Sequence, residues 1–120
     1  MHELSIAHSL AELAEEAARR AGVRKVVALR LDIGALAGIE PGALEFSWEI
    51  AARDTILAGS RLDIRRLPVV VHCAVCDADG ELADFRRFRC PRCDTPSADL
   101  RQGRELEITG LEVETLEGVA

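Results

Sequence analysis

Apolar residues recur at three- and four-residue steps along the start of the chain: Ile6, Leu10, Leu13, Ala14, Ala17 and Ala21. That spacing predicts a helix over 4–21 with one face turned to a core. Glu3 and Ser5 suit its first turn, Arg19 and Arg20 its C-terminal dipole, and Gly22 its stop. The period then changes to two. Val27, Leu29, Leu31 and Ile33 alternate with Arg30 and Asp32, which predicts a half-buried strand over 24–33. Gly34 and Gly38 mark a loop, and Pro41 opens a second helix, about 41–53. Its apolar face uses Leu44, Trp48 and Ala51, with Phe46 and Ile50 beside it.

Alternation resumes after Gly59. Leu62 and Ile64 oppose Arg61, Asp63 and Arg65, and the phase slips at Arg66-Leu67, where a bulge or break is expected. Val69-Val70-Val71 leads into a cysteine-bearing segment. Beyond Gly103, Leu106 and Ile108 oppose Glu105 and Glu107; after a phase change at Gly110, Leu111 and Val113 oppose Glu112 and Glu114. Such alternating carboxylates read as the solvated face of a strand. The order is helix, strand, helix, strand, insert, strand, with the middle three forming a right-handed crossover unit. The fold class expected is α+β: a small three-stranded mixed sheet covered by two helices, with an inserted zinc-ribbon-like domain built on four cysteines. The expected division is 1–68 plus 103–120 for the α/β domain and 69–102 for the insert.

At 120 residues and 48% apolar content the chain can bury one modest core, built from Leu, Val, Ile and Ala because it has only three Phe and one Trp. Its formal net charge of -6 disfavours a polyanionic partner, whether nucleic acid or membrane surface. No apolar run nears the ~20 residues that span a bilayer, and the N-terminal pattern is not that of a signal peptide. A cytoplasmic location, with reduced thiols, is the expectation.

All four cysteines fall in two Cys-x-x-Cys knuckles, Cys73-Ala-Val-Cys76 and Cys90-Pro-Arg-Cys93, with thirteen residues between them. Each short turn points two sulfurs at one place, and the spacer brings the pairs together. The pattern is that of one tetrahedral ion on four thiolates, with zinc favoured and iron sharing the same ligand types. Four thiolates leave no open position, so such an ion is structural. The insert looks too short and too polar for a core of its own, and the ion stands in for one; structural zinc supplies about 10–16 kcal/mol of folding free energy. A disulfide framework or a thioredoxin-like redox pair fits less well.

Arg86, Arg87, Arg89 and Arg92 interleave with Phe85 and Phe88 near the second knuckle. They favour charge compensation of a doubly negative tetrathiolate centre; the rival reading is a zinc-ribbon nucleic-acid-binding module. His72 precedes the first knuckle and reads as a surface or supporting group. No nucleotide-binding loop and no base–nucleophile set is present, so no enzyme is expected.

The chain begins Met1-His2-Glu3. The α-amine of Met1, the backbone nitrogen of His2 and its imidazole Nδ1 close a five-membered and a six-membered chelate ring. The three nitrogens lie in one plane, with the Glu3 nitrogen or an outside ligand for the fourth corner. That geometry suits Ni(II) or Cu(II) and fits tetrahedral zinc poorly.

Met1-His2-Glu3-Leu4-Ser5, Leu31-Asp32-Ile33-Gly34-Ala35-Leu36, Phe46-Ser47-Trp48-Glu49 and the two knuckles, taken together, resemble the HypA/HybF family of hydrogenase nickel-incorporation accessory proteins. The resemblance runs from Met1 to about Glu114 and includes the closing Leu111-Glu112-Val113-Glu114. It implies a nickel metallochaperone, with His2 as nickel ligand, Met1 and Glu3 completing or tuning that site, and Cys73, Cys76, Cys90 and Cys93 holding structural zinc. It implies an accessory GTPase and the large subunit of [NiFe]-hydrogenase as partners, with urease maturation as a further role of some members; monomer and homodimer both stay open, since an insert between two strands invites domain exchange. Some relatives add a nickel-binding histidine soon after the second knuckle; Asp94 to Arg101 holds none here, and Asp94 stands where many relatives have Gly.

Overall fold

The computed structural model describes residues 2–114. The chain runs α1 (His2–Arg20), β1 (Val26–Gly34), α2 (Pro41–Ala52), β2 (Arg61–Leu67), β3 (Val69–Cys73), β4 (Ala78–Leu82), β5 (Leu100–Gln102) and β6 (Leu106–Val113). The α+β class expected from the sequence holds. One three-stranded sheet has the order β2-β1-β6, and a second the order β4-β3-β5. Two compact units result. Among the described residues, the first takes 2–31, Ile39–Arg65 and 107–114; the second takes Asp32–Gly38 and Arg66–Leu106.

In the first unit, α1 buries Glu3, Ala7, Leu10, Ala11, Ala14 and Ala18. This stripe is rotated from the one the periodicity suggested, because Leu13 is 61% exposed. Alanine reads as neutral in sequence, yet a row of small side chains lets α1 lie close on α2, and that closeness selects the buried face. The helix ends in a Schellman turn: Val23 N–H donates to Ala18 O at 2.9 Å and Gly22 N–H to Arg19 O at 3.1 Å, with Gly22 at φ 72°. Helix α2 starts on Pro41, with Glu40 as its N-cap accepting from Ala43 N–H at 2.5 Å. It buries Leu44, Ser47, Trp48, Ala51 and Ala52, and the Trp48 indole N–H donates to Ser60 Oγ at 3.0 Å. Phe46 remains 69% exposed.

Strand β1 departs from simple alternation. Val26, Ala28, Leu29, Leu31, Asp32 and Ile33 are all buried, while Arg30 is exposed. Its place between two other strands accounts for covering that a half-buried strand would lack. Strand β2 continues unbroken through Arg66-Leu67, and the break falls at Pro68, which has no N–H to offer a ladder.

The second unit is wider than the 69–102 segment expected from the sequence. Ala35 N–H donates to Leu67 O at 2.9 Å, Leu36 N–H to Gly103 O at 2.7 Å, and Gly34 N–H to Glu105 O at 2.9 Å. These bonds draw 34–36 into it. Nor is it coreless. Antiparallel β3 and β4 pair from Val69↔Leu82 to Cys73↔Ala78, and β5 pairs with β3 at Val70↔Gln102 and Val71↔Leu100. Val69, Val71 and Leu82 are buried, with Ala35, Leu36, Phe88 and Leu100 packed around them. The apolar residues are too scattered along the chain for a sequence window to register them as one cluster.

Candidate metal sites

Both knuckles are hairpin tips. Cys73 ends β3 opposite Ala78 at the start of β4, so Cys76 lies in the turn between them. Cys76 N–H donates to Cys73 Sγ at 3.4 Å. The second knuckle closes through the Arg89↔Pro96 bridge; Cys90 N–H donates to Thr95 O at 2.8 Å and Asp94 N–H to Cys90 O at 2.9 Å. Arg92 N–H donates to Cys90 Sγ at 3.4 Å. Each tip needs a left-handed residue just after its second cysteine, and Asp occupies both places, Asp77 at φ 50° and Asp94 at φ 62°. Asp tolerates this region better than most side chains. Gly80 of β4 lets the second knuckle seat against the hairpin, since a Cβ there would lie 2.6 Å from Pro91 Cγ.

The four cysteine sulfurs lie within 4.8 Å of one another, and they form the one converging set of potential ligands among the described residues. Cys73 and Cys93 sulfurs are 3.6 Å apart, Cys76 and Cys90 sulfurs 3.9 Å. A tetrahedron with Zn–S of about 2.3 Å has edges of about 3.8 Å, so these distances fit a four-thiolate ion. Backbone N–H groups aimed at the sulfurs offset the negative charge of such a set. Cys93 is drawn down to about 6 by the Thr95 hydroxyl and the Thr95 backbone N–H. The Cys93 thiol donates to Thr95 Oγ1 at 3.1 Å, and the same hydroxyl can donate to the sulfur once it is a thiolate. Cys76 is pushed up to about 12 by the neighbouring thiols, Cys93 foremost, and by burial. A divalent cation held there would displace the Cys76 proton and bind the sulfur as thiolate. Cys73, Cys76, Cys90 and Cys93 could hold a metal ion, and an ion on four thiolates would serve as a four-way cross-link rather than a reacting site.

His72 stays outside this set. Its Nδ1 lies 2.9 Å from Asp79 Oδ1 and its Nε2 3.5 Å from Asp77 Oδ1, so both ring nitrogens face carboxylates. The arginines are largely engaged within the unit. Arg86 pairs with Asp84 at 3.1 Å, Arg89 donates to Asp94 O at 3.1 Å, and Arg92 donates to Asp79 O at 2.7 Å. These contacts tie the three arginine side chains to Asp84, Asp94 and Asp79.

At the other end, α1 begins at His2, not at residue 4. His2 and Glu3 therefore sit in a first helical turn, where backbone N–H groups lie outside the i→i−4 ladder. The His2 side chain is 59% exposed, and its Nε2 lies 3.3 Å from Glu3 Oε2. The Glu3 carboxylate is buried and accepts the Glu40 N–H at 3.3 Å. That bond holds its carboxyl below the usual carboxylate range, with the His2 ring a smaller contributor. Met1 lies outside the described residues. Glu40 was missed from sequence as a site residue. Its position directly before Pro41, at the mouth of a helix, was the available signal. Thr95 was missed as well, and no local pattern marks it.

Comparison with known proteins gives a consistent result. A family profile described as "Hydrogenase/urease nickel incorporation, metallochaperone, hypA" matches residues 1–113. The chain is 53% identical over 112 residues to the hydrogenase maturation factor HypA of Chloroflexus aurantiacus, covering 93% of this chain and 98% of that protein. It is 46% identical over 114 residues to the same factor of Roseiflexus sp., covering 95% and 93%. The solution structure of the Ni metallochaperone HypA from Helicobacter pylori superposes with a TM-score of 0.67 at 24% identity, over 94% of this chain and 97% of that one.

Proposed function

The chain belongs to the HypA family of hydrogenase and urease nickel-incorporation metallochaperones, and on that premise we propose that it carries Ni(II) at its N-terminus, on nitrogens of Met1 and His2, with Glu3 tuning the site. The observation that carries this reading is the His2–Glu3–Glu40 relay. Glu3, fixed by the Glu40 N–H at 3.3 Å, faces Nε2 of His2 and favours the proton there. The lone pair then falls on Nδ1, the nitrogen able to close a six-membered chelate ring with the residue's own backbone nitrogen. A carboxylate behind a ligating imidazole orients it and raises its basicity.

Transfer proceeds by ligand exchange. A planar nickel bound by at most four atoms of a chain end is open above and below, so thiolates of an acceptor can enter before the nitrogens leave. The recipients proposed are an accessory GTPase and the large subunit of [NiFe]-hydrogenase, in the cytoplasm, with urease as a second destination. The four-cysteine site holds zinc and keeps the second unit in shape for docking. The role proposed is carriage rather than catalysis, in keeping with the metallochaperone family.

The test compares Ni(II) binding by the native chain, by His2→Ala, and by a form carrying one extra residue before Met1. Strong loss in both altered forms, with zinc retained, is expected. Unchanged nickel affinity in either would sink the N-terminal site.

A further inference from the structure

The four cysteines are unequal in two ways that bear on oxidation. Cys73 and Cys90 are buried, Cys76 is intermediate, and Cys93 is exposed. Sulfur contacts below 4 Å run between the knuckles, Cys73 to Cys93 at 3.6 Å and Cys76 to Cys90 at 3.9 Å. Within the first knuckle the turn is braced by Cys76 N–H on Cys73 Sγ at 3.4 Å. The second is braced by Asp94 N–H on Cys90 O at 2.9 Å, and its Pro91 is seated on β4 at Gly80.

We propose that Cys93 is the site at which hydroperoxides attack this chain, and that oxidation converts the four-cysteine site into two disulfides between the knuckles, Cys73–Cys93 and Cys76–Cys90.

The chemistry balances with hydrogen peroxide as oxidant. The Cys93 sulfur attacks one peroxide oxygen, the O–O bond breaks and hydroxide leaves, giving a sulfenic acid. The Cys73 sulfur, 3.6 Å away, attacks the Cys93 sulfur; the S–O bond breaks and a second hydroxide leaves with the electron pair. The two hydroxides take up protons as water. One disulfide has formed, two thiolates have lost two electrons, and one peroxide has been reduced. Closing 3.6 Å to a disulfide of about 2.05 Å needs a sulfur shift of about 1.5 Å, which the exposed Cys93 side chain can make. That bond removes two of the four ligands, so the chain gives up the ion. Cys76 and Cys90 are then free thiols that a second peroxide oxidises by the same two steps. A dithiol reductant reverses both disulfides, which distinguishes this change from oxidation to sulfinic acid.

Thr95 sets the rate. Its hydroxyl lies 3.1 Å from Cys93 Sγ and accepts from the thiol; once that sulfur is a thiolate the hydroxyl can only donate to it, and so withholds electron density from the attack. Thr95 is not a ligand, so its substitution leaves the ligand set intact.

The experiment treats the zinc-loaded full chain with hydrogen peroxide, first sub-stoichiometric and then in excess of the two equivalents that both disulfides consume. It follows zinc release with a chromogenic chelator and maps each cysteine by isotope-coded alkylation and peptide mass spectrometry. Cys93 is expected to lose alkylation several-fold sooner than Cys73 and Cys90, with zinc release in step and Cys73–Cys93 and Cys76–Cys90 peptides accumulating. Thr95→Val is expected to release zinc several-fold faster at the same peroxide dose. First loss at Cys73 or Cys90, a dominant Cys73–Cys76 or Cys90–Cys93 disulfide, or an unchanged or slower release from Thr95→Val would each overturn the proposal. None of these readouts depends on nickel, so their failure leaves the nickel site untouched.

Discussion

Gly34 and Gly103 meet backbone to backbone: a Cβ on Gly34 would sit 2.2 Å from both the carbonyl carbon and the carbonyl oxygen of Gly103. No rotamer relieves that overlap, because both partners are main chain. Gly103 itself is held at φ 141°, and Leu36 N–H donates to its carbonyl at 2.7 Å. Gly34→Ala should therefore destabilise the protein by about 2–3 kcal/mol, the upper part of the usual overpacking range, since the backbone must separate. Urea denaturation checks this. The same change at Gly22, whose Cβ would meet nothing within 4 Å, should cost only its left-handed strain.

Loss of the carboxylate at Glu3 should weaken nickel more than it weakens the fold. Glu3→Gln keeps an oxygen to accept the Glu40 N–H but loses the negative charge beside His2. Nickel affinity should fall by about 10-fold, and in Glu3→Ala by up to about 100-fold, the range for losing a group that supports a metal ligand. Nickel titration calorimetry alongside zinc content measures both; zinc should stay at its wild-type level.

Nickel binding should weaken as pH falls below about 7, since the α-amine and the imidazole must shed protons to bind. Glu3 is not the cause of that loss. Its pKa is lowered by the Glu40 N–H, so its stabilising contribution is present above the ordinary carboxylate pKa and disappears only as pH falls through the lowered one. Titrations between about pH 5 and pH 8 should track the nitrogen ligands. A nickel midpoint in the carboxylate range would contradict the nitrogen site.

Asp94 carries a backbone cost that its side chain is able to bear. At φ 62° it stands where the knuckle turn must be left-handed. Asp94→Val should cost about 1–2 kcal/mol and weaken zinc retention against a competing chelator, while Asp94→Gly should retain zinc at least as well. The same order should hold at Asp77, at φ 50°.

Zinc removal should act on the second unit first. Structural zinc is worth about 10–16 kcal/mol in small domains, far more than the cluster of Val69, Val71 and Leu82 can replace. Hydrogen exchange after chelation should show lost protection over Arg66–Leu106, with helical circular dichroism from α1 and α2 retained. Loss of the helical signal in the same transition would mean that the two units fold as one.

Much of this was legible in the sequence. The four zinc-ligand candidates are fixed by a spacing of three residues, which is local and survives any arrangement of the rest of the chain. Pro41 named the start of α2, and the alternation of Leu29, Leu31 and Ile33 named β1. Strand β4 was not legible: Ala-Asp-Gly-Glu-Leu has little strand character, and it forms a strand because β3 presents a complete ladder for it to pair with.

The sequence by itself determined the two helices and the strands β1, β2 and β6, the resemblance to a nickel-handling family, and the two candidate metal sites. Those depend on residues near one another along the chain, where period and spacing set which side chains share a face. Only the tertiary structure decided that Ala7 and Ala18 rather than Leu13 and Ala17 face inward on α1, because the neighbouring helix selects for close approach. It alone joined Glu3 to Glu40 across thirty-seven residues, and brought the Cys73 sulfur within 3.6 Å of that of Cys93. Such contacts form where the packed backbone brings distant segments together, and no window of sequence holds both partners.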